Sequence, residues 1–219
     1  MSKKPIVTEQ RVVLPNISWQ KFEALVQELG VERQTRLTYC RGKLELMTPV
    51  AEHDRCHKLI ESLIMVLVDE LNQEVTELAP VLLKDEQLGC ATEPDACYYF
   101  RDEPEIKNRS ELDLSQFPCP ALAVEVALTK STVEKLPIYA TLGIPEVWRY
   151  LTTVGDEVLQ GELQIYQLQG DTYIQRKNSP TFPFLTSDRV VEFLQQSDSM
   201  NLATALRVLR AWASETLPD

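Results

Sequence analysis

The chain has 219 residues, 44% hydrophobic and 25% charged, proportions that exclude a disordered segment and allow a proper core. Its seven glycines form neither GxGxxG nor GxxxxGK(S/T), which argues against a nucleotide cofactor, and the longest apolar run, Leu63 to Val68, is too short to cross a membrane. The net charge of −11 argues against a generally basic nucleic-acid coat, although the balance is +3 over residues 1–58 and −14 afterwards.

After a polar lead-in, Ser18 to Leu29 places Trp19, Phe22, Leu25, Val26 and Leu29 at helical spacing, with Ser18 as N-cap and Gly30 as the stop. Arg36 to Met47 alternates as strand material around Gly42, which predicts a hairpin. Arg33, Arg36, Arg41 and Lys43 fall close together here, either as a local phosphate-facing patch or as a solvated surface. A long amphipathic helix follows from about Glu52 to Gln73, with Cys56, Leu59, Ile60, Leu63, Ile64, Leu67 and Leu71 on its apolar face.

Strand-like runs are then expected at Ala79–Leu83, Asp95–Phe100 and Ala121–Leu128, with a long polar loop between the last two. A short helix should cover about Thr132 to Leu142, ending at Gly143, and Pro145–Leu151 reads as another strand. Gly161–Leu168 and Thr172–Lys177 predict a hairpin, and two helices should follow near 187–196 and 199–216. The last carries Leu202, Leu206, Leu209 and Ala213 on one stripe, suited either to core packing or to a homodimer surface. Helices around a mixed sheet make the class α/β, or mixed α+β, in one domain.

Five cysteines, Cys40, Cys56, Cys90, Cys97 and Cys119, form no CxxC pair, and the basic start MSKKPIVTEQ is followed by no apolar stretch. Free thiols in a reducing, cytoplasmic setting are the expectation.

The run ALAVEVAL at 121–128 carries the strongest chemical signal. It reads as a buried central strand interrupted by one carboxylate, Glu125, and burying an unpaired carboxylate costs several kcal/mol or forces it neutral. Strand alternation puts Glu125 on one face with Ala121, Ala123 and Ala127, which leaves room beside it. A bound cation or a structural ion pair would satisfy it. Asp95 follows Pro94 at the opening of another strand, and Glu45 lies in RGKLELMTP on the face opposite Leu44 and Leu46. Three carboxylates on successive strands suit Mg²⁺ (or Mn²⁺), a hard ion that takes oxygen ligands and can stabilise charge building on a phosphodiester. Pro137 fixes the start of the next helix near Lys135, just beyond the Glu125 strand, so a lysine stands close to the acids.

The segments RGKLELMTPVAEH (41–53), EPDACYYF (93–100), AVEVALTKST (123–132) and KLPIYATLGIPEVWRY (135–150) resemble, in that order, the PD-(D/E)xK restriction-endonuclease-like superfamily, and specifically its bacterial Uma-two-type family. The most specific part is K-x-x-x-Y-x-x-x-G-(I/V)-P-E-x-W, met by Lys135, Tyr139, Gly143, Ile144, Pro145, Glu146 and Trp148. The resemblance implies a core over about 35–185 and a helical extension over 186–219. It implies a four-stranded mixed core sheet flanked by helices, with the hairpin and C-terminal helices added, and a Mg²⁺-dependent site that cleaves DNA. It also implies Glu45, Asp95 and Glu125 as metal-binding carboxylates and Lys135 as the catalytic lysine. The chain departs from the pattern at Ala127, where the superfamily's usual lysine stands, and at Leu128 and Thr129.

Lys130, in the loop between strand and helix, competes with Lys135 for the lysine's role, and His53 is placed to line the cleft. His53 and His57 also share the i, i+4 spacing of zinc ligands, without a glutamate in the HExxH position or an evident third ligand. A non-enzymatic alternative is a catalytically degenerate nuclease-like domain that binds nucleic acid or protein.

Overall fold

The chain builds two six-stranded sheets, and the first begins inside what the sequence presents as a polar lead-in. The computed structural model describes residues 9–128, 133–153 and 159–216. β1 (Gln10–Leu14) pairs antiparallel with β3 (Lys43–Thr48), which forms with β2 (Arg36–Cys40) the hairpin expected around Gly42. Arg41 and Gly42 both take positive φ, 46° and 90°, so a glycine belongs at this turn. Between β1 and β2, α1 (Trp19–Leu29) is capped by the Ser18 side chain and lays Phe22 and Val26 against Leu37, Tyr39 and Leu44.

The long helix α2 spans Ala51–Glu70; its buried positions follow the predicted stripe from Cys56 to Leu67, with His53, Val66 and Val68 added, while Leu71 caps the helix end. Of the run expected as a strand at 79–83, only Leu82 and Leu83 are strand, in β5 (Leu82–Asp85); its first residues form the link from β4 (Thr76–Leu78), which contains the cis Ala79–Pro80 peptide. β4 joins the second sheet and β5 the first. The chain crosses between sheets again after β6 (Cys90–Thr92), through Glu93, Pro94 and Asp95, to reach β7 (Ala96–Tyr99). The polar stretch that follows contains β8 (Glu111–Asp113), parallel to β5 at the edge of the first sheet.

β9 (Leu122–Ala127) is the central strand the sequence predicts, antiparallel to β7 and parallel to β10 (Glu146–Leu151). α3 (Lys135–Thr141) lies between β9 and β10 in the chain and starts at the lysine, as Pro137 requires. The predicted hairpin is β11 (Glu162–Gln169) with β12 (Thr172–Arg176). Strand orders are β1-β3-β2-β6-β5-β8 in the first sheet and β12-β11-β10-β9-β7-β4 in the second. The interior of the second sheet is the four-strand mixed core β11-β10-β9-β7, widened by one strand at each edge, so the protein is a mixed α/β structure.

One face of this sheet, with Val124, Val126, Trp148 and Tyr150, packs on α2 and on α4 (Ser187–Ser199) and α5 (Leu202–Thr216). The other face, with Cys97, Ala123 and Val147, packs on α3. Ala205, Leu209 and Ala213 of α5 are buried against the rest of the chain, so that stripe is core; Leu202 is 40% exposed. No helix among the described residues is long and apolar enough to cross a membrane.

Candidate active site

The backbone of β9 brings the first two acids together. The Asp95 backbone N–H donates to the Val124 carbonyl at 3.0 Å and the Val126 N–H donates to its carboxylate, so Asp95, just ahead of β7, sits against the stretch of β9 that carries Glu125. Strand alternation puts Glu125 on the face of Ala123, toward α3, and both acids are nearly inaccessible to solvent.

Glu125 is met from α3. The Lys135 ammonium donates to both of its carboxylate oxygens, at 2.9 and 2.8 Å, and the Tyr139 hydroxyl, one turn further along, donates to Oε1 at very short range. Lysine at the first helical position and tyrosine four residues later lie on one helix face, which is why a single carboxylate takes both. Burial raises the Glu125 carboxyl; Lys135 and Tyr139 oppose that, and the charge of Asp95 adds to it. Tyr139 stays protonated, because burial and the facing Glu125 push its phenol well up.

Asp95 is met from the opposite side. The Val126 N–H donates to Oδ2 at 2.7 Å, and His53 Nε2 lies 2.7 Å from Oδ1. The other ring nitrogen, Nδ1, lies 2.7 Å from Glu9 Oε1, so the imidazole is clamped between two carboxylates. Burial alone would lower the His53 imidazole, but Asp95 and then Glu9 overcome that and raise it to about 9. The same charge, aided by Lys135 and His57, holds Asp95 well below the usual carboxylate range despite its burial. Arg36 Nε stands 3.8 Å from Asp95.

Behind His53 the chain of contacts continues. Arg11 donates to Glu9 at 2.9 Å and to Glu45 at 2.7 Å, so Glu45 reaches Asp95 through Arg11, Glu9 and His53. Of the residues singled out from the sequence, Asp95, Glu125 and Lys135 form one cluster with His53 on its flank, and Glu45 stands at the far end of this relay. Lys130 lies outside the described residues. Both ring nitrogens of His53 are engaged by carboxylates, which removes it from any zinc pair with His57. Arg33 turns inward to Glu93 and the Gly30 carbonyl, so with Arg36 at Asp95 the predicted basic patch divides between the interior and the exposed Arg41 and Lys43.

Three site residues carried no role in the sequence reading: Glu9, Arg11 and Tyr139. Tyr139 was visible as part of the K-x-x-x-Y motif; Glu9 and Arg11 belong to an edge-strand region that shows no apolar periodicity. Beside Glu125 a small cleft is lined by Arg11, Lys135, Tyr139 and Arg149, which brings three cationic side chains to one opening. Among the described residues, the one group of three or more metal-type ligands whose atoms lie within 4.8 Å of one another is His57, Glu61 and Glu77. Glu45, Asp95 and Glu125 do not close to that distance as a trio.

The model of the Uma2 family, described as "Putative restriction endonuclease", matches residues 19–205. Among solved structures, one from Anabaena variabilis ATCC 29413, described as a "putative nuclease belonging to DUF820", superposes with a TM-score of 0.55 at 15% identity. The alignment covers 81% of this chain and 99% of that one, a likeness of fold. No curated protein matches the chain.

Proposed function

The chain belongs to the Uma2 family, and from that membership and the site's geometry we propose that it is a divalent-cation-dependent endonuclease that hydrolyses phosphodiester bonds in DNA. The observation that carries this reading is the closeness of Asp95, bonded to the Val126 N–H, to the neighbouring Glu125, with Lys135 bonded to the second acid.

The donor set fits a hard cation. Two buried carboxylates lie side by side, and burial together with Asp95 works against a bare charge on Glu125, which a cation would relieve. Asp95 and Glu125 would hold Mg²⁺ or Mn²⁺, while Glu45, bonded to Arg11, stays behind the site and steadies that arginine. When bound, the ion supplies charge stabilisation to the phosphate as it is attacked.

The chain's own groups do the rest. Lys135 orients a water beside Glu125, and its positive charge favours loss of that water's proton. Tyr139 holds the Glu125 carboxylate in place, and His53 with the Val126 N–H does the same for Asp95. Arg149, which lines the cleft, suits the phosphate backbone of DNA, while Arg11 beside it is already bonded to Glu9 and Glu45. A second copy would supply the site for the opposite strand, so a homodimer is part of this reading.

Cleavage of supercoiled plasmid with Mg²⁺ or Mn²⁺ tests it. Lys135→Ala should lose at least about 100-fold in rate. Residues 125 and 127 share one strand face, so adding Ala127→Lys to that variant should restore part of the activity. Cleavage unchanged in Lys135→Ala would remove the lysine from the chemistry.

The second reading is a degenerate domain that only binds. It draws on Ala127 and on the full set of donors already engaging Glu125 and Asp95. A wild type that cleaves nothing with either ion, yet binds DNA with a steep salt dependence, would favour it.

A further inference from the structure

β2 and β6 run antiparallel in the first sheet, with Thr38 opposite Thr92, Tyr39 opposite Ala91 and Cys40 opposite Cys90. Directly opposed residues in such a ladder have Cα atoms about 4.5–5.5 Å apart, inside the range a disulfide spans. The two thiols are free, and their Sγ atoms lie 3.0 Å apart, about 1 Å beyond an S–S bond. Cys40 is partly exposed while Cys90 is buried. The remaining cysteines are placed differently: Cys56 and Cys97 are buried in separate clusters, and Cys119 donates to the Gly143 carbonyl.

We propose that Cys40 and Cys90 are an oxidation site, at which a hydroperoxide converts the facing thiols into a cross-strand disulfide that joins β2 to β6. Burial raises the Cys90 thiol to about 12, with the neighbouring Cys40 adding to the effect, so Cys90 stays protonated and the partly exposed Cys40 meets the oxidant. The Cys40 thiolate attacks one peroxide oxygen; an S–O bond forms, the O–O bond breaks, and hydroxide leaves. The Cys90 sulfur then attacks the Cys40 sulfenic acid, forming S–S as S–O breaks, and its proton departs with that oxygen as water. For hydrogen peroxide the sum is one dithiol and one peroxide to one disulfide and two waters, with two electrons passing from sulfur to oxygen.

The staple sits on the path to the candidate acids. β2 begins at Arg36, and the chain leaving β6 runs through Glu93 and Pro94 to Asp95, where Arg36 meets it at 3.8 Å. Oxidation therefore fixes the two strands that deliver both residues. The inference itself stands apart from the nuclease reading, and its test uses no activity.

Reduced protein is treated with a small excess of hydrogen peroxide, then analysed by intact mass, peptide mapping and thermal melting. The expected result is loss of two hydrogens, a cross-linked peptide pair containing Cys40 and Cys90, and reversal by a dithiol. The melting midpoint should rise by roughly 5–10 °C, because the bond closes a long loop. Cys40→Ser, at the partly exposed position, should fold and show neither the link nor the shift. A Cys40 that proceeds to sulfinic acid without a cross-link would overturn the proposal. So would a loss of two hydrogens that persists in Cys40→Ser.

Discussion

Glu125 and Glu146 lie on neighbouring parallel strands of the same sheet, and both are nearly withdrawn from solvent, at 6% and 1% exposure. Their surroundings differ in kind. Glu146 accepts four hydrogen bonds from neutral donors: Trp148 Nε1 and Ser179 Oγ on one oxygen, the Thr181 N–H and hydroxyl on the other. Ser179 in turn accepts from the Phe182 N–H, so the carboxyl ties β10 to the turn that leads into α4. Glu125 instead faces a second acid, Asp95, and is held by the ammonium of Lys135 beside a cleft with two arginines. A buried carboxyl filled by neutral donors is part of the scaffold. One that shares its place with another acid and an ammonium keeps a capacity for chemistry.

The sharpest way to break that distinction is by amide substitution at both positions. Glu125→Gln should reduce plasmid cleavage by at least about 100-fold; the amide preserves the shape, but the Lys135 ammonium loses its carboxylate, so the variant should fold with a lower stability than the wild type. Glu146→Gln should cleave at the wild-type rate per folded molecule. Equal rates from Glu125→Gln and wild type would place the activity elsewhere.

Next in size is a stability effect with the roles reversed. Glu146→Ala strands the donors of Trp148, Ser179 and Thr181 in the interior, a cost of about 3–4 kcal/mol in urea unfolding. A loss below about 1 kcal/mol would mean that these donors find other partners, and Glu146 would no longer serve as the scaffold half of the comparison.

The pH dependence separates the two regions again. His53 has its folded value raised from 6.5 to about 9, so its contribution is complete below pH 6.5 and is lost as pH rises through about 9. The shift corresponds to about 3 kcal/mol. Urea unfolding should therefore weaken between pH 6.5 and 9 in the wild type and in Glu146→Gln, and much less in His53→Asn. An identical slope in His53→Asn would show that the clamp between Glu9 and Asp95 adds nothing to stability in this range.

The acids of the second sheet were legible for a physical reason: Glu125 contradicts the apolar run around it, and Pro137 dates the start of α3 to Lys135. Asp95 was weaker, since Pro-Asp is common at strand ends, and the crossing between sheets at Pro94 is what aims it. Glu9 and Arg11 were not legible. β1 is an edge strand whose alternate residues are exposed, so its sequence QRVVL carries no core signature, and the relay from Glu45 to His53 exists only after pairing with β3. β4, β6 and β8 have three residues each, too few to display a period. The scaffold role of Glu146 depends on Ser179 and Thr181, more than thirty residues away, so the motif could mark the glutamate without revealing what it holds.

The smallest expected effect is the response to a cation alone. In the absence of metal, Asp95 and Glu125 are already partly compensated by His53 and Lys135, so an incoming ion gains only what those partners leave. Mn²⁺ at a hundred times its dissociation constant would add about 2.7 kcal/mol, a rise in melting midpoint of about 5–10 °C for a chain of this size. Asp95→Asn should abolish the rise, because the clamp and the ligand are lost together. Lys135→Ala should keep it or enlarge it, since removing the ammonium leaves Glu125 uncompensated and more in need of a cation. Glu146→Gln should keep it unchanged. A rise that survives Asp95→Asn but disappears when His57, Glu61 or Glu77 is substituted would move metal binding to that second cluster, between α2 and β4. The Asp95–Glu125 pair would then be left as an ion-paired knot that serves the scaffold, as the neutral donors around Glu146 do.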